Sequence, residues 1–233
     1  MPSMRASQAV MAYLKALYLL EEESPRSGNE QQGTARRVTT TAIAERLEVS
    51  APSATNMLKR LAARDLVTYE PYKGASLTAK GMEVALELVH HHRLLETYLV
   101  QALGVPWDEA HAEAELLEGA LSEALEERIS AALGHPPIDP HGHPIPTING
   151  VMPKSSRQSL WEVGDGGEAR VEQVPDSHSE ALRYLAEVSV LPGAKVTIVS
   201  RGPIGGPLFI RVNENETAPV ALSKEMAEAI WVR

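Results

Sequence analysis

The sequence predicts a mainly α chain with a β C-terminal domain: a winged helix-turn-helix, a helical middle and a small barrel. Three observations carry that reading. Apolar residues recur at helical spacing in most segments before Gly134. The Pro- and Gly-dense stretch GHPPIDPHGHPIPTINGVMP then breaks the pattern. Short β-like runs follow to the C-terminus.

The elements follow in order. SQAVMAYLKALYLLEEE (7–23) places Val10, Tyr13, Leu14, Leu17 and Leu20 at helical spacing. SPRSGNEQQGTARR is polar and reads as a loop. TTTAIAERL (39–47) is a short helix with an Ile43/Leu47 face. After the turn EVSAP, Ser50 suits an N-cap and Pro52 the first turn of a helix reaching about Ala63. LVTYEPYKGASLTAKG gives two short strands around Tyr72-Lys73-Gly74, a wing. A long helix covers about 78–102, ended by Gly104 and Pro106. WDEAHAEAELLEGALSEALEERISAAL reads as one further helix, with Asp108 as its cap and Gly134 as its stop. Its apolar series Leu116, Leu117, Leu121, Leu125 and Ile129 suits a core or a dimer seam. ARVEQV, KVTIV, PLFIRV, PVAL and IWV then read as strands interrupted by one helix, HSEALRYLAEV: a small β-barrel. The divisions fall at 1–78 (DNA binding), 79–150 (helical), 151–160 (linker) and 161–233 (barrel).

Charge separates the jobs. The net charge of −9 argues against nucleic acid as a partner, but its distribution does not. Residues 1–80 hold 11 Lys and Arg against 8 Asp and Glu, whereas residues 81–140 hold 2 against 12. Phosphate contact belongs to the first stretch and cation contact to the second. The absence of Cys excludes disulfides and thiolate ligands. MPSMRASQAV lacks the apolar core of a signal peptide, and no apolar run approaches the ~20 residues of a membrane span, so the expectation is a cytoplasmic protein.

Helix, tight turn, capped second helix and wing is the order of a DNA reader, although helix-turn-helix geometry also serves protein-binding modules. Ser53, Asn56, Lys59 and Arg60 are the exposed set expected on the second helix. Short polar groups near its start suit base edges, and cations further along suit phosphates. Lys73 at the wing tip is placed for another phosphate.

VHHHRLLETYL (89–99) raises a second question. His92 and Glu96 stand four residues apart on one helix face. His111, Glu115 and Glu118 fall four and seven residues apart in the next helix. Two antiparallel helices could present all five groups to each other. Imidazoles with carboxylates suit Mn²⁺, Fe²⁺ or Zn²⁺. The same residues also occur on ordinary solvated faces, and EAELLEGALSEALEE reads equally well as one.

The chain resembles the diphtheria-toxin-repressor family of metal-dependent transcriptional regulators over nearly its whole length. The resemblance rests on AIAERLEVSAPSATNMLKRLAARDLV, GASLTAKG, HHRLLETYL, DEAHAEAELLEGALSEALEERI and DPHGHPIP in this order. It implies an SH3-like C-terminal barrel of the ferrous-transport-A type. It also implies a homodimer that binds a palindromic double-stranded DNA operator when loaded with Mn²⁺ or Fe²⁺, usually repressing metal uptake. Ser50 and Pro52 match family positions at the bases, and Asn56 stands where a polar recognition-helix residue often sits. His92, Glu96 and His111 match the family's ancillary metal site, and Glu115 and Glu118 match two ligands of its primary site. Glu115 in place of a cysteine resembles manganese-responsive members. Two positions depart: Gly119 stands where the primary-site histidine belongs, and Ala12 where a first-helix ligand belongs. The five groups are then expected to form one rearranged site. His178 matches the position from which a barrel carboxylate reaches the ancillary ion in some members.

A metal hydrolase is the competing class. No H-E-x-x-H motif and no nucleophile with a placed base support it. A DNA-binding regulator whose metal site is only structural is the other alternative.

Overall fold

The structure is a computed structural model and describes residues 8–23, 37–153, 158–176, 178–213 and 218–233. The loop expected over SPRSGNEQQGTARR lies almost wholly outside them. Two compact units divide the chain: residues 1–90 with 146–151, and residues 91–145 with 152–233.

The first unit begins with α1 (Gln8–Glu23). Its Leu14 and Leu17 are fully buried, as are Ile43, Leu58 and Leu61. Helix α2 (Thr40–Arg46) starts at Thr39, whose hydroxyl accepts from the Ala42 N–H. Helix α3 (Ala51–Ala62) starts at Ser50, whose hydroxyl accepts from the Ser53 N–H. Each cap satisfies a donor that the first helical turn leaves open. Strands β1 (Val67–Glu70) and β2 (Gly74–Leu77) pair antiparallel, Val67 opposite Leu77 and Glu70 opposite Gly74. Val38 bridges to Ala75 on the far side of β2. Gly74 is required there: its φ is +95°, and a Cβ would stand 2.2 Å from the Val38 carbonyl oxygen.

Helix α4 (Ala79–Leu103) ends on Gly104 at φ +68°. The Val105 N–H reaches back to the Leu99 carbonyl at 3.0 Å and ties down the chain beyond the helix end.

In the second unit, α5 (Ala110–Leu117) runs into a 3₁₀ turn (Glu118–Ala120), and a separate helix α6 (Glu123–Ala132) follows. The single helix expected over this stretch is therefore broken at Gly119–Ser122. Ser122 caps α6 by accepting from the Leu125 N–H, which favours a fresh start over continuation. Asp108 is not the cap of α5. Glu109 occupies that position without a side-chain bond, and the Asp108 carboxylate lies 3.7 Å from Arg183. Leu94, Leu95, Leu99, Ala110, Ala114 and Ile129 form the helical core of this unit. Leu116 and Leu125 stay exposed on the single chain.

The rest of the unit is a six-stranded antiparallel sheet in the order β3-β8-β4-β5-β6-β7. Its strands are β3 (Gln158–Ser159), β4 (Glu168–Gln173), β5 (Lys195–Arg201), β6 (Leu208–Val212), β7 (Val220–Leu222) and β8 (Trp231–Val232). Helix α7 (Ser179–Glu187) buries Leu182 and Leu185 among Leu160, Ile198 and Leu208. A second helix, α8 (Lys224–Ala229), was not expected from the sequence: it fills the gap between PVAL and IWV and is capped by Ser223. None of the helices among the described residues is long and apolar enough to cross a membrane.

Candidate metal centre and DNA-reading helix

The triple histidine of α4 points in three directions. Helical rotation of about 100° per residue separates the rings. His90 Nδ1 donates to the Pro146 carbonyl at 2.5 Å. His91 Nε2 meets Glu126 Oε2 at 2.9 Å. His92 turns its Nε2 towards α5.

There, His92 Nε2, Glu96 Oε1 and His111 Nδ1 stand 3.0 Å from one another on all three edges. Glu96 is completely buried and His92 nearly so. Glu118 Oε2 accepts the proton of His92 Nδ1 at 2.6 Å. That bond fixes the tautomer and leaves a lone pair on Nε2 facing the triangle. Lone-pair atoms packed this closely need shared protons or a shared cation. Two imidazoles and a buried carboxylate converging in this way suit a borderline divalent ion such as Mn²⁺, Fe²⁺ or Zn²⁺.

The other expected ligands stand further out. Glu118, the first residue of the 3₁₀ turn, binds the outer nitrogen of His92, outside the triangle. Glu115 Oε1 is 4.0 Å from His111 Nε2, again the outer nitrogen, and its side chain is half exposed. His178 is exposed at the start of α7 and joins none of the convergent groups among the described residues. Two residues earlier, Asp176 does: its carboxylate, Glu96 and His141 place donor atoms within 4.8 Å of one another. Asp139, His141 and His143 converge in the same way. Sequence reasoning missed these four residues. The signal was in DPHGHPIP, two histidines and an aspartate between prolines, which served only as a family mark.

The field at the centre is strong. Burial would raise the Glu96 carboxyl, but His92, His111 and His141 outweigh it and hold the group well below the usual range. Burial would depress His141, yet Glu96 and Asp139 push it up to about 9.

On α3, Ala54, Leu58 and Leu61 face inward. Ser50, Pro52, Ser53, Asn56, Lys59 and Arg60 are all exposed. The Ser50 and Ser53 hydroxyls lie 2.9 Å apart. Lys73 is exposed on the wing, with its ammonium 2.9 Å from Glu70.

A winged helix-turn-helix exposing polar and cationic side chains, followed by convergent imidazoles and carboxylates, defines a metal-responsive DNA-binding regulator. Residues 7–75 match the iron-dependent repressor N-terminal DNA-binding domain, residues 78–147 its metal-binding and dimerisation domain, and residues 158–233 the FeoA domain. The iron-dependent repressor IdeR of Mycobacterium leprae is 34% identical, over 94% of each chain. A solved manganese-dependent transcriptional repressor in complex with manganese is 36% identical, with a TM-score of 0.86 over 96% of this chain and 98% of that one. The manganese regulator SloR is 28% identical, with a TM-score of 0.78 over 96% and 97%. The chain belongs to the diphtheria-toxin-repressor family of metal-dependent transcriptional repressors, and its C-terminal sheet is the SH3-like domain of that family. It is a DNA-binding regulator and not an enzyme.

Proposed function

We propose that this chain is a homodimeric repressor that binds a palindromic operator of metal-uptake genes in the cytoplasm when its His92 centre holds Mn²⁺ or Fe²⁺. The observation that carries the reading is the triangle of His92 Nε2, Glu96 Oε1 and His111 Nδ1, 3.0 Å on each edge. A bound divalent ion supplies the positive charge that three mutually facing lone pairs lack. His92 and His111 come from different helices, so the centre joins α4 to α5 within the domain that dimerises in the family. Glu118 aims His92, and Glu115 stands in reach of His111. Manganese is favoured by a donor set of nitrogen and oxygen alone and by the manganese-dependent relatives.

Exposed Leu116 and Leu125 suit a seam with a second copy. In the dimer, the two α3 helices must stand about one DNA turn (~34 Å) or a multiple of it apart. Restricting that spacing raises the fraction of binding-competent dimer, and apparent affinity rises with it. Ser50, Pro52, Ser53 and Asn56 read bases, while Lys59, Arg60 and Lys73 hold phosphates.

The test is a duplex selected from a random-sequence pool by the Mn²⁺-loaded protein, then titrated with Mn²⁺, Fe²⁺, Zn²⁺ and chelator. Affinity should rise with Mn²⁺ or Fe²⁺ and fall with chelator. Equal affinity in chelator would favour a purely structural ion.

A further inference from the structure

The wing carries its cations differently from α3. Lys59 and Arg60 are exposed, and among the described residues no carboxylate pairs with either. On the wing, one carboxylate holds two cations. Glu70 ends β1, and its Oε2 lies 2.9 Å from Lys73 Nζ. Its Oε1 accepts from the Arg37 guanidinium.

The backbone builds this fork. The Lys73 N–H donates to the Glu70 carbonyl at 3.1 Å and closes a turn around Pro71 and Tyr72. Tyr72 takes the left-handed conformation, φ +65°, as the chain doubles back towards β2. Val38 exchanges both backbone bonds with Ala75, at 2.7 and 2.8 Å, so the chain before α2 runs beside β2 and carries Arg37 to Glu70. The Glu70 carboxyl is held below its usual range by the bond from Lys73 and then by that from Arg37. The Lys73 side chain is 72% exposed and that of Arg37 30%. Arg37 is therefore the anchor of the carboxylate, and Lys73 the cation with access to a ligand.

An exposed ion pair adds little to stability and exchanges readily with solvent ions. Its larger effect falls on what else Lys73 can hold. A phosphate oxygen bonded to Lys73 at ~2.8 Å would stand within about 6 Å of the Glu70 carboxylate. That is well inside the ~10 Å Debye length, so the two anions repel. The repulsion is relieved when Lys73 leaves Glu70 for the phosphate. Glu70 then takes up a cation as the phosphate releases one. Counterion release, about 0.9 of salt slope for each phosphate neutralised, cancels at the wing.

We propose that Glu70, anchored by Arg37, is a charge brake on Lys73. It keeps the wing from adding sequence-independent affinity, so that the residues of α3 decide which duplex is held. The inference deepens the operator-binding reading and rests on Lys73 as a phosphate contact.

The test uses the Mn²⁺-loaded full chain with the selected duplex and a scrambled duplex of equal length, at several salt concentrations. Glu70→Gln keeps the side-chain size and an acceptor oxygen. It should bind both duplexes about twofold to fivefold more tightly, the size of an exposed ion pair. It should also steepen the logarithmic salt slope by about one. Lys73→Ala in the parent should change the slope by well under about one, whereas in Glu70→Gln it should abolish the gain. Unchanged affinity and slope in Glu70→Gln overturn the brake. So does weaker binding at the parent's slope, which would make Glu70 a brace of the wing. A gain that survives Lys73→Ala overturns the assignment to Lys73. A full unit of slope lost by Lys73→Ala in the parent overturns the brake with Glu70 untouched. Binding unmoved by chelator would instead overturn metal gating and leave these slope differences readable.

Discussion

Glu118 holds the outer nitrogen of His92 at 2.6 Å, while the inner nitrogen faces Glu96 and His111. The carboxylate thus aims the His92 ring and raises the basicity of its inner nitrogen without entering the triangle. Glu118→Gln should weaken Mn²⁺ binding ~10–100-fold and leave the number of ions per chain unchanged. His92→Ala should abolish that ion outright. A fluorescent-chelator competition separates them, and loss of a whole ion in Glu118→Gln would make Glu118 a ligand.

On α3, Asn56 and Lys59 are both exposed, so their loss should leave the fold intact. Asn56→Ala should relax preference at one base position, costing ~1–3 kcal/mol there if its contact is bidentate. Lys59→Ala should weaken all duplexes alike and lower the salt slope by about one. Binding isotherms on matched and point-altered duplexes at several salt concentrations decide. A uniform loss in Asn56→Ala would remove it from base reading.

The metal-free protein should depend on pH from both sides. Burial depresses His141, but Glu96 and Asp139 outweigh it and raise the group to about 9. His143 is raised too, burial again being outweighed by Asp139 and Asp176. Their stabilisation is complete below the unfolded value of ~6.5 and is lost as pH climbs through the folded values. Asp176 and Glu96 are lowered despite burial, by the imidazoles around them. Their stabilisation is present above the unfolded values near 4 and disappears on acidification. Denaturant midpoints should therefore peak between about pH 5 and 6.5 and decline towards 9. Saturating Mn²⁺ should remove the alkaline decline, because ligation requires neutral imidazole. Identical metal-free midpoints at pH 6 and pH 9 would contradict this charge arrangement.

Gly142→Ala should destabilise the second unit by about 2–4 kcal/mol, since both the positive φ and the 1.8 Å approach to Glu172 are violated. Gly134→Ala, with a positive φ but nothing within 4 Å, should cost less. Thermal melts of the two variants provide the comparison, and equal losses would show that the close approach is unimportant.

The legible parts of the molecule were those with short-range signals. Thr39 and Ser50 announce α2 and α3, and Ile43, Leu58 and Leu61 mark their inner faces. His92 and Glu96 share a helix face by their spacing alone. The break at Gly119 was masked by helix-forming Ala and Leu on both sides, although Ser122 carried the capping signal. Helix α8 is only six residues long, too short for an apolar period to stand out. His141 and Asp176 reach Glu96 from distant segments, through a turn and the stretch after β4, an arrangement that no local pattern encodes. Asp176, two residues before His178, is the residue whose carboxylate converges with Glu96 and His141.

Every inward donor in this centre is a nitrogen or an oxygen, and the chain contains no cysteine. A thiolate ligand would climb to sulfenic and then sulfinic acid under peroxide and lose its metal. Imidazole and carboxylate have no comparable ladder. Peroxide treatment of the stripped protein should leave its metal capacity intact, so any oxidant sensitivity at the centre belongs to the redox chemistry of the ion it carries.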